Sequence, residues 1–392
     1  MKNLKVALIG NMNNNNFVLL RYLLDLGIDA NLLILKNEPA HFSAKSDTNE
    51  VEKYNDKIKT VKWGDRKDWF SISGKEINND LQIYDFLIGT DLAPAFCGRA
   101  QRNLDIFVPH GSDLGHFTYY RLTWPNKLIQ TWAAVYMQRK YIPKVKYFHM
   151  EKNNELYEKR WKRFKGNSIR WTISTPLVYK EKKEINDYNI NFIKSIKKIK
   201  EASDLFLYYN VRHVWGGDKN KDANQKGSDK LIRGLSLFKE RNPEIIFNLI
   251  TFEYGTKVHE SKKLIKKLKL EENIKWFPLS ERKNIIIGMQ EADLVFGEFE
   301  NSWVTYSVIA EALSLNKPII TYRDDVSHIK NYNDLYYILN AKSDIEICEK
   351  IEYYLNNKDE VIKKSSNGWS WYTSKINIPA ISLYKEAIKF KS

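Results

Sequence analysis

The second half of this chain alternates short apolar runs with helix-like stretches, and that alternation restricts its fold more than any other feature. Apolar runs at 205–209, 245–250, 274–277, 294–296 and 318–322 have strand length, and stretches at 228–239, 257–268, 282–292 and 304–315 separate them with helical character. Strands joined through helices over short connections predict parallel pairing, because each helix carries the chain back to begin the next strand at the same end. This excludes an all-β or all-helical architecture there. The sequence opens on the same theme. Val6, Ala7, Leu8 and Ile9 form an apolar run closed by Gly10, and Asn11 to Asn16 have turn and N-cap character. Residues 17–26 then suit an apolar helix and 30–35 a second strand. Further strands are expected at 83–88 and 105–108, with Thr90 and Asp91 as caps of a helix running to Ala100. Residues 38–80 are polar and weakly periodic, fitting loops, edge structure or an insertion.

Two such α/β rhythms in 392 residues predict two domains, 1–185 and 200–368, joined through the charged segment 180–200. A terminal stretch, 369–392, carries Trp371, Tyr372 and Tyr384 and is suited to packing back on the body of the protein.

With 63 Lys+Arg against 48 Asp+Glu, the formal charge is +15. Such a balance suits nucleic acid, an anionic membrane surface or a phosphorylated small molecule. The basic residues are spread through both regions without a DNA- or RNA-binding motif, so nucleic acid is not an expected partner. The densest cluster, 139–165, holds ten Lys/Arg against three Glu, interleaved with Tyr141, Tyr147, Phe148, Tyr157, Trp161 and Phe164. Residues 157, 161 and 164 share one helical stripe, which fits a helix docked on the core by its aromatics or a basic surface resting on anionic lipid. Cys97 and Cys348 are too few and too far apart for a disulfide framework or a zinc site. With neither a signal-peptide core nor a membrane-span run, the expectation is a cytoplasmic protein, at most peripheral at the inner face of the membrane.

Three segments could carry chemistry. Gly10-Asn11-Met12-Asn13-Asn14 sits where a dinucleotide fingerprint would, but it lacks the later glycines, and the second strand runs into Lys36 and Asn37 rather than an acid for a ribose. A nicotinamide dehydrogenase is therefore not expected, although Gly10, Asn11 and Asn14 can still face a ligand. Next, Asn210-Val211-Arg212-His213 follows a strand, and Gln225-Lys226-Gly227 precedes a helix with Ser228 or Asp229 as cap. Arg212 and Lys226 thus fall at the carboxyl edge of a parallel sheet, a placement that suits a diphosphate without a metal. Finally, a strand ends at Gly297, Glu298 and Glu300, a loop turns, and a helix begins near Thr305, Tyr306 and Ser307 with Glu311 on its apolar face. A carboxylate there needs a partner, whether a sugar hydroxyl, an arginine or solvent.

These segments resemble, in order and spacing, the donor-binding domain of the family 4 (group 1) glycosyltransferases, through Arg212, Lys226-Gly227, Glu311-Ala312 and Asn316-Lys317-Pro318. The resemblance covers roughly residues 204–325. In that family two glutamates are separated by seven residues; here Trp303, eight positions before Glu311, occupies the first position, and Glu298 and Glu300 are the nearby acids. The resemblance implies a GT-B fold, α/β with two Rossmann-like, doubly wound parallel-sheet domains facing a cleft and a C-terminal helix that crosses back to the first domain. It also implies transfer of a sugar, with retention, from a nucleotide-diphosphate donor to a hydroxyl of a glycan or lipid-linked acceptor in cell-surface polysaccharide or glycoconjugate biosynthesis. No metal and no cofactor are expected beyond the nucleotide sugar as substrate. In that picture Arg212 and Lys226 meet the departing diphosphate, helped by amides near Thr305, Tyr306 and Ser307, and Glu311 holds the ribose. Glu298 or Glu300 stands in for the missing acid. From the first domain His110, in Pro109-His110-Gly111-Ser112-Asp113, contacts the donor sugar with Asp113 beside it. A GT-B nucleotide-sugar epimerase and a catalytically inactive nucleotide-sugar-binding relative are the alternatives.

Overall fold

The computed structural model describes residues 4–115, 118, 129–151, 155–180, 190–217 and 225–391. Parts of the 139–165 cluster, of the 180–200 segment and of the loop before Lys226 lie outside the described residues, as does the Tyr157 side chain. The chain divides into two compact units, Met1–Tyr179 with Ile376–Ser392, and Lys180–Lys375.

The first unit is built on a seven-stranded sheet comprising β1 (Val6–Ile9), β2 (Ala30–Ile34), β3 (Ile58–Thr60), β4 (Phe86–Gly89), β5 (Ile106–Phe107), β6 (Tyr147–His149) and β7 (Ile169–Trp171). Their spatial order is β3-β2-β1-β4-β5-β6-β7, and every pairing is parallel. Alternate residues of β1 feed opposite faces, as strand geometry demands. Ala7 and Ile9 join Leu87, Phe96, Phe107 and Phe148, whereas Val6 and Leu8 join Phe86, Ile88 and Ile106. The second of these cores is completed by Tyr384, Ala387 and Ile388 of the helix Ile378–Lys389, so the C-terminal helix belongs to the first unit. Tyr384 fixes it there with a buried hydrogen bond of 2.7 Å to His149 Nδ1. Residues 38–80 supply the edge strand β3 and a helix, Gly74–Leu81, started by a reciprocal cap between Ser73 and Glu76. The helix Ala93–Arg99 starts after Leu92 with no side-chain cap, correcting the expectation for Thr90 and Asp91. Of the aromatic stripe on the helix Glu155–Phe164, Phe164 is buried and Trp161 packs against the core, as in the docked reading.

The second unit repeats the plan with β8 (Leu205–Tyr209), β9 (Phe247–Phe252), β10 (Ile274–Phe277), β11 (Leu294–Phe296), β12 (Ile319–Thr321) and β13 (Leu339–Asn340). They lie in the order β10-β9-β8-β11-β12-β13, again all parallel. In each sheet the winding direction reverses beside the first strand, between β1 and β4 and between β8 and β11. Loops leaving the carboxyl ends of those two strands diverge to opposite faces, which opens a crevice where α/β proteins bind ligands.

Candidate active site

At the reversal point of the second sheet, three loops converge. The loop after β8 carries Asn210, Arg212 and His213. Its path is set from inside: His213 is buried, with Nδ1 at 3.0 Å from Ser261 Oγ and Nε2 at 2.8 Å from Thr251 Oγ1. Burial depresses its pKa to about 3, so it is neutral and structural. Lys226 is pinned through its backbone, donating to Val214 O at 2.7 Å and accepting from Phe299 N at 2.9 Å. The loops after β8 and β11 are therefore held together through the residue that bears the cation. Gly227 then enters the helix Ser228–Arg241 with φ +71°, a left-handed conformation that favours glycine. It is Gly227, not Ser228 or Asp229, that occupies the cap position, and no side chain caps this helix. Ser228 instead hydrogen-bonds Tyr209 OH at 2.8 Å, inside the fold.

Glu298 is the centre of the site. It follows β11, is wholly buried, and its carboxylate pairs with Lys226 Nζ. The Trp303 side chain also hydrogen-bonds it, and Arg212 acts on it electrostatically. Burial raises its pKa, while Lys226, Arg212 and Trp303 oppose the rise. Its backbone is equally constrained: Glu298 N donates to Tyr306 OH at 2.6 Å, and its carbonyl accepts from Thr321 Oγ1 at 2.9 Å and Tyr322 N at 3.0 Å. Tyr306 therefore directs its hydroxyl to the strand end and caps the helix Ser307–Ser314 without a side-chain bond. Glu300 pairs with Lys230 at 2.9 Å, and the same ammonium donates to Phe299 O at 2.9 Å. Thr305 is buried at the foot of the helix. Glu311 is buried on the inward face and pairs with Arg282 Nε at 2.6 Å; its other oxygen lies 3.4 Å from Asn210 Nδ2. The acid on the apolar helix face thus meets an arginine.

The matching corner of the first sheet is a knot of asparagines and acids. Gly10 has φ +80°, and Asn11 N donates to Glu38 Oε1 at 2.9 Å. Asn11 and Asn14 are buried, bonded to each other at 3.0 Å and to the carbonyls of Phe42 and His41. Their side chains are committed to the loop's own shape rather than presented outward. Asp113 is likewise buried and accepts from the backbone N–H groups of His110, Gly111 and Leu114 at 2.9 Å each, anchoring its own turn. His110 is partly buried, with a ring nitrogen 3.3 Å from Asn15 Nδ2, and desolvation lowers its pKa to about 4. It is a neutral hydrogen-bonding group at physiological pH. Glu38, not singled out in the sequence, is raised to about 7 by desolvation and by repulsion from Asp91; Asp91 is raised to about 7 by desolvation and by repulsion from Asp113, and Asp113 to about 6 by desolvation. One signal was available: Glu38 lies just beyond Lys36 and Asn37, near the end of β2 where a ribose-binding acid was sought. It turns back onto the Gly10 loop instead.

Several solved structures share this architecture over nearly their whole length. An Anabaena protein, Alr3699/HepE, described in complex with UDP and glucose, superposes with a TM-score of 0.63 at 13% identity, covering 98% of this chain and 99% of that one. The fold is GT-B. A glycosyltransferase from Rickettsia africae gives a TM-score of 0.60 at 15% identity, covering 99% of this chain and 100% of that one. WaaG, a glycosyltransferase involved in lipopolysaccharide biosynthesis, gives 0.57 at 13% identity with 99% of each chain covered. Residues 219–371 match the family of glycosyl transferases group 1, which places Lys226, Glu298, Trp303 and Glu311 of the GT-B second unit inside the matched stretch. No curated protein matches the chain. Among the described residues, no helix is long and apolar enough to cross a membrane.

Proposed function

We propose that this protein transfers a sugar, with retention, from a nucleoside diphosphate sugar to a hydroxyl acceptor. The observation that carries this reading is the gathering of Lys226 and Arg212 about the buried Glu298 at the β8/β11 reversal point, beside a helix start that no side chain caps. Negative charge grows on the departing diphosphate as the glycosidic bond breaks, and fixed cations and amides at that point lower the barrier most. Lys226 and Arg212 are assigned to the phosphates, with the first-turn amides of the Ser307–Ser314 helix as further donors. Asn210, whose Oδ1 is buried without a hydrogen bond, and Glu311 are assigned to the ribose. The UDP complexes of the Anabaena protein favour a uridine nucleotide. The first unit takes the acceptor, a glycan or lipid-linked saccharide of a cell-surface glycoconjugate. Work in the cytoplasm, with the basic 139–165 stretch against anionic lipid, completes the picture. Because side-chain cations meet the diphosphate, turnover in chelator is expected to persist.

The test is a thermal-shift panel of nucleotide sugars, since a ligand at 100 times its Kd stabilises the fold by about 2.7 kcal/mol. One donor should stand out, and Lys226→Ala should lower its turnover by about 10²–10³. Activity within about threefold of the parent would remove Lys226 from the diphosphate. A nucleotide-sugar binder without turnover is favoured by one observation, the occupation of the signature acid position by Trp303, and tight binding with no product from any acceptor would establish it.

A further inference from the structure

Away from the carboxyl ends of the strands, the first unit carries an open cavity of about 440 Å³ between the helices Ala93–Arg99 and Ile129–Tyr141. Its volume lies in the small-molecule range. Four rings line it, Trp69, Trp132, Tyr136 and Tyr141, with Met137 between them and Arg99 and Gln101 as its polar members. Trp132 and Tyr136 stack with centroids 5.8 Å apart, and Tyr136 is more than half exposed. The wall is built for close approach: a Cβ on Gly98 would fall 2.3 Å from the Tyr141 ring, so only glycine lets that ring lie against the Ala93–Arg99 helix.

Two properties define what fits. Among the described residues no Leu, Ile, Val or Phe lines the cavity, and each of the four rings carries an N–H or O–H handle. Such a surface suits a ligand that is apolar on its faces and polar at its edges, as a sugar ring is, better than an alkyl chain. Second, the Arg99 guanidinium lies 4.9 Å above the Trp69 ring centroid, its Nε is buried without a hydrogen bond, and it has no acidic partner among the described residues. A cation held over an aromatic ring with a donor unanswered is complementary to a carboxylate or similar oxyanion.

We propose that this pocket binds a short segment of an acidic glycan, its sugar faces on Trp132 and Tyr136 and an acid group on Arg99. The proposal rests on the transferase reading only for the purpose of that glycan, which would be the growing acceptor held at a distance from the transfer site.

The test uses the full chain labelled with 5-fluorotryptophan, with the Trp69 and Trp132 fluorine resonances assigned through Trp→Phe variants. The probes are tetrasaccharides of galacturonate, of mannuronate and of hyaluronan, with maltotetraose as the neutral control and phosphatidylglycerol vesicles as the lipid control. At least one acidic tetrasaccharide should shift the Trp132 signal with a Kd below about 1 mM. Arg99→Gln should weaken that binding about tenfold while leaving maltotetraose unaffected. Trp132→Ala, a half-buried position, should abolish binding measured by calorimetry, which keeps the test open if the Arg99 variant folds poorly. No shift from any saccharide at about 10 mM, an unchanged affinity in Arg99→Gln, or a shift from vesicles alone would overturn the proposal. A nucleotide-sugar titration followed on the Trp303 signal reports on the donor site separately, so failure there counts against the transferase reading and not against this pocket.

Discussion

The pairing of Lys226 with Glu298 makes a quantitative prediction about stability that is separate from catalysis. Replacing Lys226 by Met keeps the bulk of the side chain and removes its charge. Glu298 then sits wholly buried without its ammonium partner. An ionised carboxylate there would cost several kcal/mol, but the group has a cheaper option, which is to bind a proton. The unfolded chain ionises this residue near its ordinary value of 4.5. Holding the folded form neutral at pH 7 therefore costs at most about 3.4 kcal/mol, at about 1.4 kcal/mol per pH unit. Arg212 still favours the ionised form, which brings the expected loss to about 2–3 kcal/mol.

The sign follows from proton uptake. In Lys226→Met the folded-state pKa of Glu298 rises further above its unfolded value, so the folded form binds the extra proton. The penalty is absent below about pH 4.5 and grows as pH rises toward that folded pKa. Urea unfolding of the parent, Lys226→Met and Lys226→Met/Glu298→Gln at pH 5 and pH 7 tests this. The single variant should lose about 2–3 kcal/mol at pH 7, a fall in Tm of about 4–10 °C, and at most about 1 kcal/mol at pH 5. The double variant should recover to within about 1 kcal/mol of the parent at both pH values, because Gln can accept from Trp303 without carrying a charge. Turnover should stay low in both variants, since both lack the cation. Equal losses in the single and double variants at pH 7, or a penalty in the single variant independent of pH, would refute the coupling.

Other consequences are simpler to state. Glu311→Ala strands the buried Arg282 and should destabilise the protein by about 3–5 kcal/mol, whereas Glu311→Gln should stay folded and weaken nucleotide binding in calorimetry; unchanged nucleotide affinity in Glu311→Gln would remove Glu311 from the donor site. Glu38, Asp91 and Asp113 have folded-state pKa values raised to about 7, 7 and 6, so each opposes folding as pH rises from about 4 toward 7. Glu38→Gln should flatten that slope in pH-dependent unfolding, and a slope identical to the parent would show that Glu38 is ionised in the fold. Gly227→Ala must hold φ +71° with a Cβ 3.1 Å from Phe299 Cβ, and should cost about 2 kcal/mol in urea unfolding; a loss below about 0.5 kcal/mol would mean that the turn relaxes freely.

The parallel sheets were legible because their signal is local and repeated. β8, β10 and β11 lie where apolar runs of strand length stand between helical stretches, and the flanking turns mark their ends. The polar segment 38–80 was harder, because the edge strand β3 has partly exposed residues and so lacks an apolar run. Helix starts were misread for a related reason. Ser228, Asp229, Thr90 and Asp91 have the chemistry of caps, but at 228 the turn needed a left-handed residue just before the helix, and only Gly227 adopts that conformation without strain. Ser228 was left to bond Tyr209 in the interior.

At the site itself, the sequence located the loops but not the partners. Arg212, Lys226, Glu298 and Glu311 were each visible as charges at strand ends or on a helix face, yet which charge meets which depends on the order of β8, β11 and β12, a non-local property. Trp303 shows the consequence. Counted along the chain, it stands eight residues before Glu311, where the resemblance to family 4 leads one to expect an acid. In the fold, its side chain hydrogen-bonds Glu298, five residues earlier, and that acid holds Lys226. Position 303 therefore carries no carboxylate, while the acid at the strand end, Glu298, is buried against the cation. A buried acid paired to Lys226 offsets part of the positive charge offered to a diphosphate, so Glu298→Gln alone should tighten nucleotide binding even as it leaves the loop in place. If that variant binds uridine diphosphate more weakly than the parent, Glu298 is a direct ligand-binding group rather than the counter-charge of the lysine.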